Sequence, residues 1–566
     1  MKKLFSVLIF LVIFLPGFNQ VVYEDVTNTG IYEFLDELAN LKIISLNSAI
    51  KPYSRSYIAA KLAEAKQWVL EQEMEKEATG FRLSSRQRKE LDFYLQDFQL
   101  ESSASRIPGR ASHLADQYAY KLGFLFPQQP GLAVSLNPLG IQYRDSLFTI
   151  SVRPILGLQY VSNQNGTALH KWWGGAMFGY IGKNIGFYAS LRDNNESAGM
   201  EYPDYFTLNQ GQIYKPGTKS GVDFSEMKGG VTVSWNWGSF GLIKDRFVWG
   251  NNYHGANIFS GKAPSFPYVH LHVNPAKWFD FNYIHGWLNS GVVDSSRSYF
   301  TGGYYREVFV KKFVAANMFT FIPWRGLNIS VGNSVIYSDA IQPVFLIPFM
   351  FFNSVDATNS SEVNNAGQNS QIFFDISTRQ IRHLNLWASL YIDELKFSRI
   401  LNPNSFNWTS WKIGSRFSDW PVRNLSVTAE WTKTNPITYK HYIATTTFAS
   451  NDYCMGSYLR DNSMEIYGAL AYKPFRGLLF NLSYTLARHG DDYTDTRTYN
   501  YDILGFMKHQ TWQNQTIEFT AKYEFVNNGY FYIGVQHSNN EGDVRYEPEL
   551  MHGKTMNLIT GINVGF

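Results

Sequence analysis

One cysteine, Cys454, stands in 566 residues. A disulfide framework needs paired thiols and a thiolate zinc site needs several, so both are excluded. Charge is scarce as well: 17% of residues are Asp, Glu, Lys or Arg, against roughly 25% in soluble domains. The 50 Lys and Arg nearly balance the 47 Asp and Glu, which leaves no basic footprint for nucleic acid. Past the N-terminus no apolar run reaches the roughly 20 residues a helix needs to cross a bilayer; the longest, Val344 to Phe352, contains Pro348. Familiar catalytic signatures are missing too: there is no Gly-x-Ser-x-Gly elbow, no His-Glu-x-x-His and no Gly-x-x-x-x-Gly-Lys phosphate loop. What is plentiful is aromatic. The chain has 15 Trp, 36 Tyr and 43 Phe, an aromatic share equal to the charged share, within a 45% hydrophobic content that is too high for disorder. So many rings beside so few charges ask for a surface that meets something other than water.

Residues 1–20 read as a secretory signal peptide: Lys2 and Lys3 precede the apolar stretch Leu4 to Leu15, which ends at Pro16-Gly17. No cysteine follows it, so a lipid-anchored N-terminus is excluded. Export, an aromatic excess and no helical span together point to a closed β-barrel, because lipid requires every backbone polar group to be paired within the chain.

Two periodicities divide the remaining residues. Over 21–105 the period is helical: Ile31, Leu35, Leu38 and Leu41 form one stripe, Ile58, Leu62, Ala65 and Val69 a second, and Leu91, Leu95 and Phe98 a third. Ser84 with Gln87 three residues on predicts a capping box opening the last helix. These residues predict a small three-helix domain whose charged faces meet the water of the periplasm. Over 106–566 the period is two. Val231, Val233, Trp235 and Trp237 alternate with Thr232, Ser234 and Asn236; Ile517, Phe519, Ala521, Tyr523 and Phe525 alternate with Thr516, Glu518, Thr520, Lys522 and Glu524. Segments of about ten residues fit tilted strands that cross a bilayer.

The connections separate a membrane barrel from a soluble sandwich. Short turns are expected at Gly238-Ser239, Pro323 to Gly326, Lys473 to Gly477 and Asn527 to Gly529. Long polar surface loops are expected at Asp193 to Ser225, Ser338 to Ser370, Lys433 to Asn462 and His489 to Gln510. Tight turns at one end and long loops at the other are the pattern of outer-membrane barrels. From Ala119 onward up to about 20 strand candidates can be placed, the first two around Pro130 and Pro138. An even number puts both barrel ends on the periplasmic side. Met556, Leu558, Ile562, Val564 and the terminal Phe566 alternate with polar and glycine residues, an ending that serves as a signal to the barrel-assembly machinery. The fold expected is therefore an all-β transmembrane barrel in outer-membrane lipid, preceded by the periplasmic helices.

Few residues carry evident chemistry. His270 and His272 share one strand face, but two imidazoles without a third ligand make no metal site. Asp491, Asp492 and Asp495 read as a solvated loop rather than a calcium site. Asp393-Glu394 does not by itself define a glycosidase pair. Neither catalysis nor a metal or other cofactor is expected. The residues that suggest a ligand are Lys244, Asp245, Arg246, Trp249, Asn252, Tyr253 and His254, in a segment mixing flat rings with amides and charges, as sugar recognition requires. Asp193 and Asn195, atop the preceding strand, add acceptors. The competing reading puts Trp249 and Tyr253 in the aromatic girdle and Lys244, Asp245 and Arg246 in a lumen ion-pair network bracing the wall.

The chain resembles the Wzi-type capsule assembly proteins. The likeness rests on Ile31-Tyr32-Glu33-Phe34-Leu35-Asp36-Glu37-Leu38, on Lys244-Asp245 through Trp249-Gly250 with Ser260-Gly261-Lys262-Ala263-Pro264-Ser265-Phe266-Pro267, and on Ser370 to Asp375 and Tyr391 to Leu395. The resemblance implies about 18 antiparallel strands and a non-enzymatic lectin that binds or organises surface capsular polysaccharide. Related barrels linked to gliding motility or adhesion share the pattern, and a transport pore is the rival from another class.

Overall fold

The computed structural model describes residues 20–74, 81–101, 131–218, 221–355, 367–399, 407–493 and 505–565. Met1 to Asn19, where the signal peptide was expected, Asp495 and the terminal Phe566 lie outside them.

Eighteen antiparallel strands form a closed barrel. The first six are β1 (Phe148–Asn163), β2 (Gly166–Ile181), β3 (Ile185–Glu196), β4 (Gly221–Trp235), β5 (Gly238–Asp245) and β6 (Phe266–Ala276). Then come β7 (Phe279–Val293), β8 (Phe309–Trp324), β9 (Leu327–Ser338), β10 (Asn369–Thr378), β11 (Leu384–Glu394) and β12 (Trp408–Ser418). The last are β13 (Leu425–Thr434), β14 (Ser463–Tyr472), β15 (Leu478–Gly490), β16 (Gln510–Val526), β17 (Gly529–Gly542) and β18 (Lys554–Val564). β18 closes the ring on β1, from Leu558↔Ser162 to Val564↔Leu156. The edge of β1 that β18 leaves open is taken by a hairpin, Leu132–Leu136 and Leu139–Arg144, paired from Ile141↔Val152 to Arg144↔Thr149. This hairpin accounts for the strand candidates near Pro130 and Pro138. It lies beside the ring, since β18 has already closed it; Ala119 and Pro130 are outside the described residues.

One end carries only short turns, such as 182–184, 236–237, 325–326 and 527–528, together with the start of β1 and the end of β18. The other end carries the long connections and one tight turn, Gln164-Asn165. Because successive strand residues point to opposite faces, the alternating apolar set lies outward. Val231, Leu242, Phe374, Ile413, Ile517, Phe519, Ile533 and Leu558 are exposed there. Such a ring of exposed side chains is the surface a bilayer covers.

The helices α1 (Thr29–Asn40), α2 (Arg55–Met74) and α3 (Ser85–Asp97) pack through the predicted stripes, with Ile31, Leu35, Ile58, Leu62 and Leu91 essentially inaccessible. Both hydrogen bonds of the Ser84–Gln87 capping box are present. The unit sits on the short-turn end. Arg379 pairs with Asp36 at 2.9 Å, Lys473 with Glu90 at 3.2 Å, Asn40 donates to Ser418 at 2.9 Å and Tyr94 to Glu524 at 3.0 Å. It also enters the barrel: Ile50 pairs with Trp249, and Asp25 meets Lys228 of β4 at 2.7 Å.

One long connection departs from the expected surface loop. Residues 339–355 fold back along the outside of the wall, where Phe345 and Phe352 bury against the outward side chains Phe281, Tyr283, Phe313 and Tyr337 of β7–β9. Asn317 and Asn333, outward positions that lipid would penalise, are satisfied by this strap. Asn317 donates to the carbonyls of Pro348 and Met350, and Asn333 accepts from the Phe352 amide at 2.8 Å. The longest apolar run of the sequence therefore covers polar wall, while Phe349 and Phe351 replace it as the exposed surface.

Candidate functional site

The connection between β5 and β6, residues 246–265, runs through the lumen. Trp249 is 1% exposed, bridged to Phe259 and packed edge-on against Phe259 and Phe373 at ring distances of 5.3 and 6.0 Å. The segment reaches the far wall. Glu430 of β13 accepts the amides of Tyr253 and His254, both at 2.8 Å, and Lys412 of β12 pairs with the same carboxylate at 3.0 Å, with both charged side chains fully inaccessible. Asp375 of β10 accepts the Asn251 amide at 2.8 Å, and Asn257 donates to the Ser410 carbonyl at 3.0 Å. A second connection, 435–462, meets it from the other side. Tyr439 donates to the Asn257 carbonyl at 2.6 Å, and Tyr439, Phe448 and Tyr453 join Trp249, Phe259 and Phe373 in one cluster. Cys454 belongs to this cluster as a buried free thiol. The lumen is thus filled by side chains from three parts of the chain, the two connections and the N-terminal segment.

The nine residues singled out from the sequence fall into two groups. Inside, Asp245 accepts from Tyr188 at 2.8 Å, Arg246 pairs with Glu226 at 2.7 Å, Asn252 donates to the Gly250 carbonyl of its own turn at 2.8 Å, and the Tyr253 ring lies under the Arg416 guanidinium at 4.4 Å. His254 stacks on Tyr467 at 4.0 Å and meets Glu465 at 3.2 Å. These residues, with Trp249, hold the plug, where Glu430 and Asp375 supply acceptors for the amides of the connection. On the outward face near the long-loop end, Lys244 donates to Ser265 at 2.8 Å, Asp193 accepts from Ser225 and lies 3.8 Å from Lys215, and Asn195 donates to Asp223 at 2.7 Å.

At this rim lies an aromatic group the sequence reading missed. Tyr202 stacks on Tyr214 at 4.8 Å and 21°, and meets Tyr205 edge-on at 5.3 Å; Tyr202 is 38% exposed. The connection that carries it is fixed. Phe206 stacks on Tyr546 at 4.3 Å, the Lys262 ammonium donates to Glu201 at 3.0 Å and to the Thr207 carbonyl at 2.6 Å, and Arg460 reaches Asp204 at 3.2 Å. Burial lifts the Glu201 carboxyl to about 7 in spite of Lys262. Nothing in the spacing of Tyr202, Tyr205 and Tyr214 marks them, since only the fold of the loop stacks them. His270 and His272 face the lumen with protein partners, Asn282 and Asp280 at 3.0 and 2.9 Å. Among the described residues no three His, Cys, Asp or Glu side chains converge as metal ligands would.

Fold and site together define a plugged barrel with a structured loop face. No family model matches this sequence and no curated protein is similar to it. Among solved structures the chain is similar to Wzi of Escherichia coli, an outer-membrane protein involved in group 1 capsule assembly and a carbohydrate-binding β-barrel. The match has 11% identity and a TM-score of 0.54, covering 97% of this chain and 100% of that one. OccD3 (OpdP) and OprD of Pseudomonas aeruginosa match at 12% and 10% identity with TM-scores of 0.41 and 0.40, each over 73% of this chain and over 91% and 94% of theirs. The likeness to Wzi is one of fold.

Proposed function

We propose that this chain is an outer-membrane barrel that binds or organises surface polysaccharide without catalysing a reaction, with its helical unit in the periplasm. The observation that carries the reading is the filled lumen. A transport pore needs a continuous water path, whereas here the Lys412–Glu430 pair and the aromatic cluster of Trp249 and Tyr439 occupy the lumen. A closed barrel whose long loops are locked to one another offers a rigid platform, and preorganised rings lose little entropy on binding. The fold shared with Wzi, itself carbohydrate-binding, supports the same reading. Insertion would use the barrel-assembly machinery and the C-terminal Phe566. Contacts to sugar are assigned to the rim, to Tyr202 and Tyr205 with Asp193, Asn195 and Lys244 nearby, rather than to Trp249, Tyr253 and His254, whose role is to hold the plug.

The test is retention of the producing strain's own extracted polysaccharide by purified protein. Wild type is expected to retain it, and the double variant Tyr202→Ala/Tyr205→Ala to bind roughly tenfold more weakly, from two stacking contacts of about 0.5–1.5 kcal/mol each. No retention by wild type, or unaltered retention by the variant, refutes the reading or the assignment respectively.

A further inference from the structure

The strap on the outside of the barrel runs nearly the full height of the wall. It leaves the long-loop rim where β9 ends at Ser338, and its Phe349 stacks on Phe281 at 4.7 Å. Phe281 pairs with Phe319, two residues from Phe279↔Phe321 near the short-turn end. Along this path the backbone forms one 3-10 turn, Pro343–Leu346, and is irregular from Ile347 to Phe351. The amides of Phe349 and Phe351 have no acceptor among the described residues, and both residues are exposed, Phe349 by 63%. Hydrocarbon offers such a backbone no partner. Each unpaired polar group there costs several kcal/mol, so non-helical segments at membrane depth lie against protein or enclosed water.

The charges on this face show which protein it suits. From Ala340 to Val355 the strap has no charged residue, and Ile341, Leu346, Ile347, Phe349 and Phe351 are exposed on it. Two charges stand side by side at the rim above. Lys311 of β8 shares the outward face with Phe313, and the Asp339 amide donates to the Lys311 carbonyl at 3.0 Å. Both residues are exposed, and neither has an ion pair among the described residues. Two copies inserted in one membrane share an orientation, so a two-fold axis between them runs along the membrane normal. Such an axis sets the left side of each patch against the right side of the other at equal height. Lys311 and Asp339 then meet their opposites across the axis, while the uncharged straps meet below without repulsion.

We propose that the outer face of β7–β9 is the interface of a two-fold homodimer, packed strap against strap, with Lys311 of each copy facing Asp339 of the other. The contact shields the irregular backbone of both straps from lipid at once. It is independent of the polysaccharide reading, so either can fail without the other.

Cross-linking in the producing strain's own membranes tests it. The native chain has one thiol, Cys454, which is buried in the lumen, so an added cysteine reports alone. A short bismaleimide should join two copies of the full chain carrying Phe349→Cys. It should leave Ile517→Cys monomeric, since Ile517 is exposed on the outward face of β16, eight strands away. Native mass spectrometry of the purified wild type should show a dimer. Lys311→Glu, an exposed change that sets like charges across the axis, should weaken that dimer several-fold. A wild-type monomer, cross-linking at position 349 no greater than at 517, a cross-link to a different protein, or a Lys311→Glu dimer as stable as wild type overturns the proposal.

Discussion

Replacing Glu430 with Ala withdraws the carboxylate that accepts two successive amides of the plug at the far wall. In the native lumen it accepts the Tyr253 and His254 amides at 2.8 Å and faces Lys412 at 3.0 Å, with no solvent access to either charged side chain. Without it Lys412 is a lone buried cation, a defect of about 3–5 kcal/mol, and each of the two amides loses an acceptor at about 1–3 kcal/mol. Neighbouring terms are not additive, so a loss of roughly 5 kcal/mol is expected. The wall does not depend on these bonds, since β12, β13 and β14 remain paired through Ser410↔Thr434 and Thr434↔Ser463. The cost therefore falls on the docking of residues 247–265, and the plug should leave the lumen. In planar bilayers wild type should stay closed, whereas Glu430→Ala should show sustained ohmic openings. The paired variant Lys412→Met/Glu430→Met, which removes the stranded charge, should recover part of the closure. If Glu430→Ala keeps the heat-modifiable gel mobility of a folded barrel and conducts no more than wild type, the account of how the lumen is closed is refuted.

The contact between α1 and α3 should be acid-sensitive. Burial disfavours the charge on Glu37, but the Arg86 guanidinium at 2.5 Å outweighs it and draws the carboxyl down to about 2. Because the folded value lies below the unfolded one, this stabilisation, about 3 kcal/mol at most, is complete above the ordinary carboxylate range and is lost as pH falls toward 2. Hydrogen exchange in α1 and α3 should rise over that interval, and a flat profile would count against the pair. The outer strap gives a further test. Asn333→Leu removes the acceptor of the Phe352 amide and the donor to Asn317 at 2.7 Å, about 1–3 kcal/mol for each orphaned group. A cysteine at Phe349 should then label faster with a membrane-impermeant maleimide, while buried Cys454 stays silent; unchanged labelling would mean the strap does not depend on Asn333.

Much of the architecture was legible in the residues. Val231 and Val233, or Ile517 and Phe519, alternate because one strand face meets apolar surroundings, and the Ser84–Gln87 box announces its helix through bonds three residues apart. The function of the long connections was not legible. Trp249, Tyr253 and His254 have the chemistry of a sugar-binding loop, and the same rings and amides serve equally well to plug a lumen. Which of the two they do depends on Glu430, 177 residues from Tyr253, and no local pattern records that partner. The run Val344 to Phe352 likewise gives no sign that it lies outside the wall, because only the outward Asn317 and Asn333 make that position favourable.

The sequence by itself determined what is periodic or compositional: a helical opening, strands with one apolar face, tight turns opposed to long connections, and no paired thiols. Each of these follows from interactions between residues a few positions apart or from the solvent a face must meet. The tertiary structure alone decided that the barrel is filled and that its loops turn inward or lie along the wall. Those outcomes rest on contacts across hundreds of residues, where a donor's chemistry is fixed by its type and its partner is fixed only by the fold.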